Sequence, residues 1–404
     1  MSLLFVNTSQ VVTFDAAAGK GTVYDRGAVL VDEAKVVAVG RAPELEQHAR
    51  NAERIDCEGG VLTPGLVDSH THAVFGRWRA DEYALRSRGV PYTEIARRGG
   101  GINASVRDLR GRTEDELVDL ARDRLRTALS YGTTTLEVKS GYGLTVEDEL
   151  KMLRVIRRLD REGPLELVPT FMGAHETPPE LRGRTDRYVD IVVSEMIPAV
   201  AEAGLARFCD VFMEPGVFDA RQTRRILEAG LDHGLVPKLH ADELEPSGGA
   251  ELAAELDAAS ADHLGRISNP GIRALARSAT VATLLPGTLF FLGRKEYAPA
   301  RRLLDAGATV ALATDFNPGS SASPNLPLTM TIACSQMGMD PLEALVAATR
   351  GGARALRLED GAGTLAQGAP ADLVLWDATD YREIAYRYGV RLARRVWKRG
   401  AEVA

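Results

Sequence analysis

Residues 133–175 read TTTLEVKSGYGLTVEDELKMLRVIRRLDREGPLELVPTFMGAH and contain two strand-like runs around one helix-like segment. The runs TTTLEVKS and LELVPTFMGAH are short and apolar. Between them, VEDELKMLRVIRRLD repeats its apolar residues at helical spacing. Two consecutive strands that are joined through a helix pair in parallel within one sheet. This stretch therefore predicts a β–α–β unit.

The same alternation extends on both sides of this unit, from about Leu62 to Ala355. The strand candidates in chain order are VLTPGLVDSH, TTTLEVKS, LELVPTFMGAH, FCDVFME, LVPKLHADE, SADHLG, ATVATLLPG and TVALATDFN. Helix-like segments such as EDELVDLARDRLRTALSYG lie between them. Eight strands that alternate with helices predict an α/β protein with a parallel (β/α)8, TIM-like barrel.

The two ends of the chain are rich in strands instead. The first sixty residues contain runs such as LLFVNTSQVVTF, and the last forty contain ADLVLWDATDY. Each end is too short to fold separately, so we expect them to form one small β-sandwich. The predicted division is residues 1–63 with 356–404 for this composite sandwich, and residues 64–355 for the barrel.

The composition of the chain excludes several classes of protein. A formal charge of -7 over 404 residues argues against a nucleic-acid partner. The three cysteines are scattered, without a CxxC, and predict neither disulfides nor a cysteine metal cluster. The start MSLLFVNTSQ lacks a signal-peptide pattern, and the apolar window VATLLPGTLFFLG is too short to cross a membrane. We expect a cytoplasmic protein with no membrane partner.

Ionisable side chains follow the predicted barrel strands, where barrel enzymes carry their catalytic groups. Five of the seven histidines lie at predicted strand ends. The polar residues at these ends are His70, His72, Lys139, Tyr142, His175, Glu214, His240, Glu243, His263 and Asp315. We interpret Lys139 as a structural residue and assign no role to Glu214.

His70 and His72 predict half of a metal site. At i, i+2 on a strand they point to the same face, although an H-x-H pair also occurs freely in loops. His240 and Asp315 supply the remaining donors. Three imidazole nitrogens and one carboxylate oxygen suit Zn²⁺, or Fe or Mn, and leave a position for water. Such an ion makes water a nucleophile near neutral pH.

Hydrolysis also requires a group that takes and returns a proton. Glu243 in HADE is the candidate general base and acid, and the alternative is a solvated glutamate at a helix start. His263 is a candidate to polarise a carbonyl oxygen, and the alternative is a core histidine. Asp315 is interpreted as a ligand rather than as a helix N-cap.

The motifs PGLVDSHTH, KLHADEL, ADHL and ATDFNPGSS resemble the amidohydrolase superfamily. This resemblance implies a metal-dependent hydrolase on a distorted barrel with a sandwich built from both termini. THAVFGRWRADEYALRSRG, YTEIARRGGGINASVR, VKSGYGL, FMGAHETPPE and ATLLPGTLFFLG are similar to the members that open a cyclic amide in histidine degradation. The implied reaction is hydrolysis of the ring C–N bond of 4-imidazolone-5-propanoate to N-formimidoyl-L-glutamate.

The resemblance also implies a set of site residues. It makes His70, His72, His240 and Asp315 metal ligands, Glu243, His263 and Asp315 catalytic residues, and Arg79, Tyr142, His175, Glu243, Asn317, Gly319 and Ser320 substrate contacts. Arg79 is the expected partner of the substrate carboxylate, because a guanidinium binds a carboxylate through two hydrogen bonds.

The resemblance implies a homodimer with a divalent or trivalent metal ion, Zn or Fe, in each subunit. Many members hold two metals bridged by a carboxylated lysine on strand four. That run is FCDVFMEPG here and contains no lysine, so we expect one ion per subunit. Purine or pyrimidine aminohydrolases and other cyclic amidases fit the same ligand pattern. A non-catalytic scaffold fits it less well, since such chains lose metal ligands.

Overall fold

The computed structural model describes residues 2–15, 19–49, 51–90, 94–95 and 98–404. Residues 92–93 and 96–97, which belong to the motif YTEIARRGGG, lie outside the described residues.

Among the described residues, seven strands precede the barrel in the chain. They are β1 (Leu3–Val6), β2 (Gln10–Asp15), β3 (Lys20–Asp25), β4 (Gly27–Asp32), β5 (Lys35–Arg41), β6 (Glu53–Asp56) and β7 (Val61–Pro64).

Eight strands then form one parallel sheet, in which each strand pairs with the next one along the chain. They are β8 (Leu66–Asp68), β9 (Thr133–Lys139), β10 (Glu166–Ala174), β11 (Phe208–Met213), β12 (Val236–Ala241), β13 (Ser260–His263), β14 (Val281–Leu284) and β15 (Val310–Leu312). Their residues are buried almost throughout, as expected for parallel strands with helices outside and packed side chains inside. The predicted (β/α)8 barrel is confirmed.

The helices lie mainly in the connections between these strands. They span Ala42–His48, Ala80–Ser87, Ile102–Arg110, Glu114–Ser130, Val146–Glu162, Thr185–Ile191, Ile197–Ala203, Ala220–Asp232, Gly249–Glu255, Asn269–Ala276, Pro286–Phe291, Ala300–Asp305, Leu326–Met337, Pro341–Val346, Gly352–Ala355 and Glu383–Tyr386. Short 3-10 and π segments span Pro179–Leu181, Val192–Met196 and Ala347–Gly351. None of the helices in the described ranges is long and apolar enough to cross a membrane.

The first and last barrel strands meet just beyond their regular ends. The backbone N–H of Asp315 donates to the carbonyl oxygen of His70 at 3.0 Å, and that of His72 donates to Phe316 at 2.9 Å. Below these bonds, the buried carboxylate of Asp68 accepts hydrogen bonds from the backbone N–H and Oγ1 of Thr314. The sheet therefore closes at the end that carries the polar residues.

Three further strands, β16 (Leu373–Trp376), β17 (Ala393–Lys398) and β18 (Ala401–Glu402), complete two sheets beside the barrel. One sheet has the order β5-β4-β1-β6, and the other has the order β18-β17-β16-β7-β2-β3. The second sheet joins the two ends of the chain, since β7 pairs antiparallel with β16. Between the sheets, Phe5 packs edge-on against Trp397 with ring centroids 4.9 Å apart. The composite terminal sandwich is confirmed, and its exact boundaries stay a prediction.

One predicted strand is wrong in detail. VLTPGLVDSH was expected to form a single barrel strand, but β7 belongs to the sandwich and β8 begins the barrel. Gly65 separates them, and its N–H donates to the carbonyl oxygen of Asp372. The chain passes here so close to β9 that a Cβ at position 65 would overlap the side chain of Thr134.

We therefore predict that Gly65→Ala lowers the free energy of unfolding by about 1–3 kcal/mol, the usual cost of overpacking. Gly111→Ala is the matched control, because its φ is −79° and its Cβ would lie 3.7 Å from the nearest atom. Denaturant titration measures both variants. Equal stability of Gly65→Ala and the parent would contradict the prediction.

Candidate active site

Five histidines and Asp315 meet at the mouth of the barrel. His70 and His72 follow β8, His175 follows β10, His240 lies in β12, and His263 ends β13. All five are buried. The ring centroid of His240 lies 4.5 Å from that of His70 and 5.0 Å from that of His263, and His72 stacks on His175 at 5.0 Å. The parallel arrangement explains this convergence, because all the strands end at the same rim.

The donor atoms form two overlapping groups that could hold a cation. In the groups His70–His72–Asp315 and His70–His240–His263, all donor atoms lie within 4.8 Å of one another. Nε2 of His70 lies 3.5 Å from Oδ1 of Asp315, and Nε2 of His72 lies 3.7 Å from the same oxygen. The four predicted ligands thus lie in two groups that share His70, and His263 joins them.

The protonation and bonding of these histidines fit a metal ion. Burial, followed by nearby cationic groups, lowers the pKa of both His70 and His72 well below the usual range, so both rings are neutral. Neutral imidazole is the form that binds metals. Nε2 of His70 and Nδ1 of His72 are buried and have no hydrogen-bond partner. Unpaired buried nitrogens are costly unless a ligand pairs with them.

Two buried aspartates orient the histidines. Nδ1 of His70 lies 2.6 Å from Oδ2 of Asp262, and Nδ1 of His240 lies 3.1 Å from Oδ1 of Asp210. Each carboxylate accepts a hydrogen bond from an Nδ1–H group and thereby leaves the Nε2 lone pair for a cation. Sequence reasoning missed both residues, although an acidic residue inside an apolar barrel strand was an available signal.

Asp315 is held in a strained conformation beside the histidines. Its φ is 51°, a value that is uncommon outside glycine. Oγ1 of Thr288 donates to Oδ2 of Asp315 at 2.6 Å, which leaves Oδ1 facing His70 and His72. Burial raises the pKa of Asp315 to about 6. A bound cation would favour its ionised form.

Glu243 and His263 face each other next to this cluster. Oε2 of Glu243 lies 3.6 Å from Nε2 of His263. Burial, together with the charges of Asp315 and Glu214, raises the pKa of Glu243 to about 8. A carboxyl whose pKa lies near neutrality can both accept and donate a proton.

Glu214, to which the sequence assigned no role, holds the segment that carries Glu243. Its Oε1 accepts hydrogen bonds from the backbone N–H of Glu243 at 2.6 Å and of Leu244 at 3.0 Å. Its Oε2 accepts a third from Glu245 at 3.3 Å. The carboxylate of Glu214 therefore fixes the backbone from which Glu243 projects.

Arg79 lies at the rim with an incompletely paired guanidinium. The side chain is buried, and its Nε and Nη1 have no hydrogen-bond partner. Glu82 is the nearby acid, with Oε2 at 3.8 Å from Nε. The guanidinium packs so closely on Gly319 that a Cβ at that position would overlap it. The structure thus brings Arg79 and the loop around Gly319 together.

The loop after Asp315 is ordered by Asn317. Oδ1 of Asn317 accepts hydrogen bonds from the backbone N–H groups of Gly319 and Ser320. Its Nδ2 donates to the carbonyl oxygen of Asp315 at 2.6 Å and to Oγ of Ser320 at 2.9 Å. Asn317 thereby fixes the position of the loop against Arg79.

Tyr142 and His175 lie beside the cluster. The ring of Tyr142 lies 5.4 Å from that of His175 and 5.9 Å from that of His72. Nδ1 of His175 lies 3.0 Å from the carbonyl oxygen of Gly141. Burial lowers the pKa of His175 to about 3, so this ring is a neutral hydrogen-bonding group.

Comparison with known proteins supports a relationship over the whole chain. The family model described as "Amidohydrolase family" matches residues 232–400. Imidazolonepropionase from Geobacillus sp. (strain WCH70) is 47% identical over 420 residues, which cover 100% of this chain and 98% of that protein. Imidazolonepropionase from Geobacillus kaustophilus (strain HTA426) is 48% identical and covers 94% of this chain and 91% of that protein.

Among solved structures, an adenosine deaminase from Xanthomonas campestris with bound zinc superimposes with a TM-score of 0.72. The match covers 99% of this chain and 92% of that chain at 19% identity, and it supports the fold alone.

The barrel, the sandwich and the histidine cluster, together with the family match, define this protein as a hydrolase of the amidohydrolase type. The resemblance to the amidohydrolase superfamily is therefore confirmed. The His/Asp cluster and this class support a bound divalent metal ion. Identity of 47–48% over nearly the full length further defines the family: the chain belongs to the imidazolonepropionase family.

We predict that Glu214→Gln lowers kcat about tenfold while the bound-metal content stays unchanged. The amide can no longer accept all three backbone N–H groups, so Glu243 loses its fixed position, whereas the metal-site residues keep their contacts. Steady-state kinetics and metal analysis measure the two effects. Glu245→Gln is the control, because Glu245 lies in the same segment and is exposed. Parent-like kcat in Glu214→Gln would refute this role.

Proposed function

We propose that this protein hydrolyses the ring C–N amide bond of 4-imidazolone-5-propanoate to give N-formimidoyl-L-glutamate in histidine degradation. The observation that carries the proposal is that a cluster of buried histidines and a buried, incompletely paired guanidinium lie at one barrel mouth. The histidine cluster suits metal-dependent hydrolysis of an amide, and the guanidinium suits a substrate that bears a carboxylate. The family relationship agrees with both.

His70, His72, His240 and Asp315 would hold one metal ion, Zn or Fe. Such an ion, when bound, supplies Lewis-acid chemistry that activates water near neutral pH. Asp210 and Asp262 keep two of the imidazoles in the tautomer that this requires. Tyr142 and His175 would contact the substrate beside the cluster.

Glu243 is the proposed proton shuttle. Its carboxylate removes a proton from the attacking water as the oxygen bonds to the ring carbonyl carbon. The C–N bond then breaks, and Glu243 returns the proton to the departing ring nitrogen. His263, whose pKa burial and the nearby His240 hold well below the usual range, remains neutral and stabilises the developing negative charge on the carbonyl oxygen.

Arg79 is the proposed anchor for the propionate. Its unpaired N–H groups can form two hydrogen bonds with a carboxylate, and the backbone of Gly319 lies beside it. Asn317 supports this loop. Binding the tail at the rim directs the ring towards the histidine cluster.

The cellular setting is proposed from the sequence. We infer a cytoplasmic protein that acts on a small molecule and binds neither nucleic acid nor membranes, because the chain is acidic and its cysteines are scattered. The proposed homodimer rests on the family resemblance.

The direct test is a substrate panel with quantified metal. We predict that metal-loaded protein opens 4-imidazolone-5-propanoate and leaves neutral nucleobases unchanged, and that Arg79→Ala raises KM for the imidazolone at least tenfold through loss of the carboxylate contact. Arg77→Ala is the matched control, since Arg77 is exposed and pairs with Asp81. Deamination of a nucleobase without ring opening would overturn the proposal.

The pH dependence of kcat/KM tests the role of Glu243. Only the ionised carboxylate accepts a proton, so kcat/KM should rise with pH as Glu243 ionises. Burial raises the pKa of Glu243 to about 8, and a bound cation would lower it again, so the rise should lie at or below about pH 8. Glu243→Gln should lose about 10²–10⁴-fold in kcat with its metal retained. Substantial remaining activity in Glu243→Gln would exclude Glu243 as the shuttle.

A further inference from the structure

A group of buried charges lies inside the barrel, directly below the mouth. It contains two ammonium groups and three carboxylates, all with fully buried side chains: Glu137, Lys139, Asp210, Lys238 and Asp262. Buried charges are costly unless they are paired, and their pairing is itself costly in stability compared with an apolar core. A purely structural core would not require this group, which suggests a functional reason for it.

Lys139 is the centre of this group. Its Nζ donates to Oδ2 of Asp210 at 2.6 Å and to Oε1 of Glu137 at 3.0 Å, and it lies 3.6 Å from Oδ2 of Asp262. One ammonium therefore contacts both of the aspartates that orient the histidines.

Both aspartates also contact a ring, Asp210 through its other carboxylate oxygen and Asp262 through the same Oδ2 that faces Lys139. Oδ1 of Asp210 lies 3.1 Å from Nδ1 of His240, while Oδ2 of Asp262 lies 2.6 Å from Nδ1 of His70. Two chains of contacts thus run from a single Nζ atom, through one carboxylate each, to two imidazoles on different strands. The rings themselves lie 4.5 Å apart.

We propose that Lys139 is a positioning residue that sets the directions of His70 and His240 together through Asp262 and Asp210. Lys139 is the last residue of β9, and its buried side chain fixes the two carboxylates relative to each other. The carboxylates in turn fix where both Nε2 lone pairs point. Lys139 itself contacts neither the substrate nor the metal. This inference rests on the proposed metal site.

Lys238 provides a matched comparison within the same group. Its Nζ lies 3.3 Å from Oε1 of Glu137, donates to the carbonyl oxygen of Ser69 at 3.1 Å, and is 3.9 Å from Asp262. It carries the same charge and is equally buried. Neither lysine donates a hydrogen bond to Asp262, so the difference between them is the hydrogen bond to Asp210, which Lys139 donates and Lys238 does not.

The test is a Zn²⁺ titration against a competing chelator, with Lys139→Met and Lys238→Met compared. We expect Lys139→Met to weaken Zn²⁺ binding 10–100-fold, the usual effect of losing an outer contact to metal ligands, and Lys238→Met to weaken it less than threefold. The visible spectrum of bound Co²⁺, which reports ligand geometry, should change only in Lys139→Met. Equal effects of the two substitutions on Zn²⁺ affinity would overturn the proposal.

A charge-balanced variant covers the case in which Lys139→Met does not fold. Lys139→Met/Glu137→Gln removes one charge of each sign. Its reference is Glu137→Gln alone, because the polar partners of the Glu137 carboxylate are Lys139, Lys238 and Thr170 rather than Asp210 or Asp262. The double variant should bind Zn²⁺ 10–100-fold more weakly than this reference. Equal affinity would contradict the role of Lys139.

His70→Ala in the same titration separates this inference from the proposed site. If the parent and His70→Ala bind Zn²⁺ equally, the metal site itself is wrong. If His70→Ala alone loses Zn²⁺ and Lys139→Met binds it like the parent, the site stands and the positioning role of Lys139 is refuted.

Discussion

The hydrogen bonds between the first and last barrel strands determine whether this site exists. The N–H of Asp315 donates to the carbonyl oxygen of His70, and the N–H of His72 donates to that of Phe316. Three of these four residues, His70, His72 and Asp315, also supply side chains that face the proposed cation. A closed barrel brings donors from sequence positions 70 and 315 within a few ångströms, and the pair Asp68–Thr314 holds this junction from below.

Chemistry at the mouth depends on polar groups placed at successive depths. Buried ammonium and carboxylate groups lie deepest, the histidines that they orient lie above them, and Glu243 and Arg79 surround the space over the histidines. The buried charges restrict the orientation of the histidines, so these reacting groups are held in place before the substrate binds. Such preorganisation in a water-poor site is a main source of electrostatic catalysis.

Sequence reasoning predicted the residues that end the strands more successfully than the residues that support them. The alternation of strands and helices predicted the barrel, since the period of apolar residues is a local property. It misassigned VLTPGLVDSH, because only the paired strands distinguish β7 in the sandwich from β8 in the barrel. The histidines could be predicted as site residues because they follow the strand runs. The contacts of Asp210, Asp262 and Glu214 could not be predicted, because they join strands that are distant in the chain.

In the proposed complex, one metal ion binds at the histidine cluster and the carboxylate of the substrate binds at Arg79. The most direct measurement is anomalous diffraction at the metal edge from crystals grown with a non-hydrolysable imidazolone propionate analogue. We predict one anomalous peak in contact with His70, His72, His240 and Asp315, and an analogue whose carboxylate contacts Arg79. A peak away from these four side chains, or an analogue bound with its carboxylate at the histidines, would contradict the account.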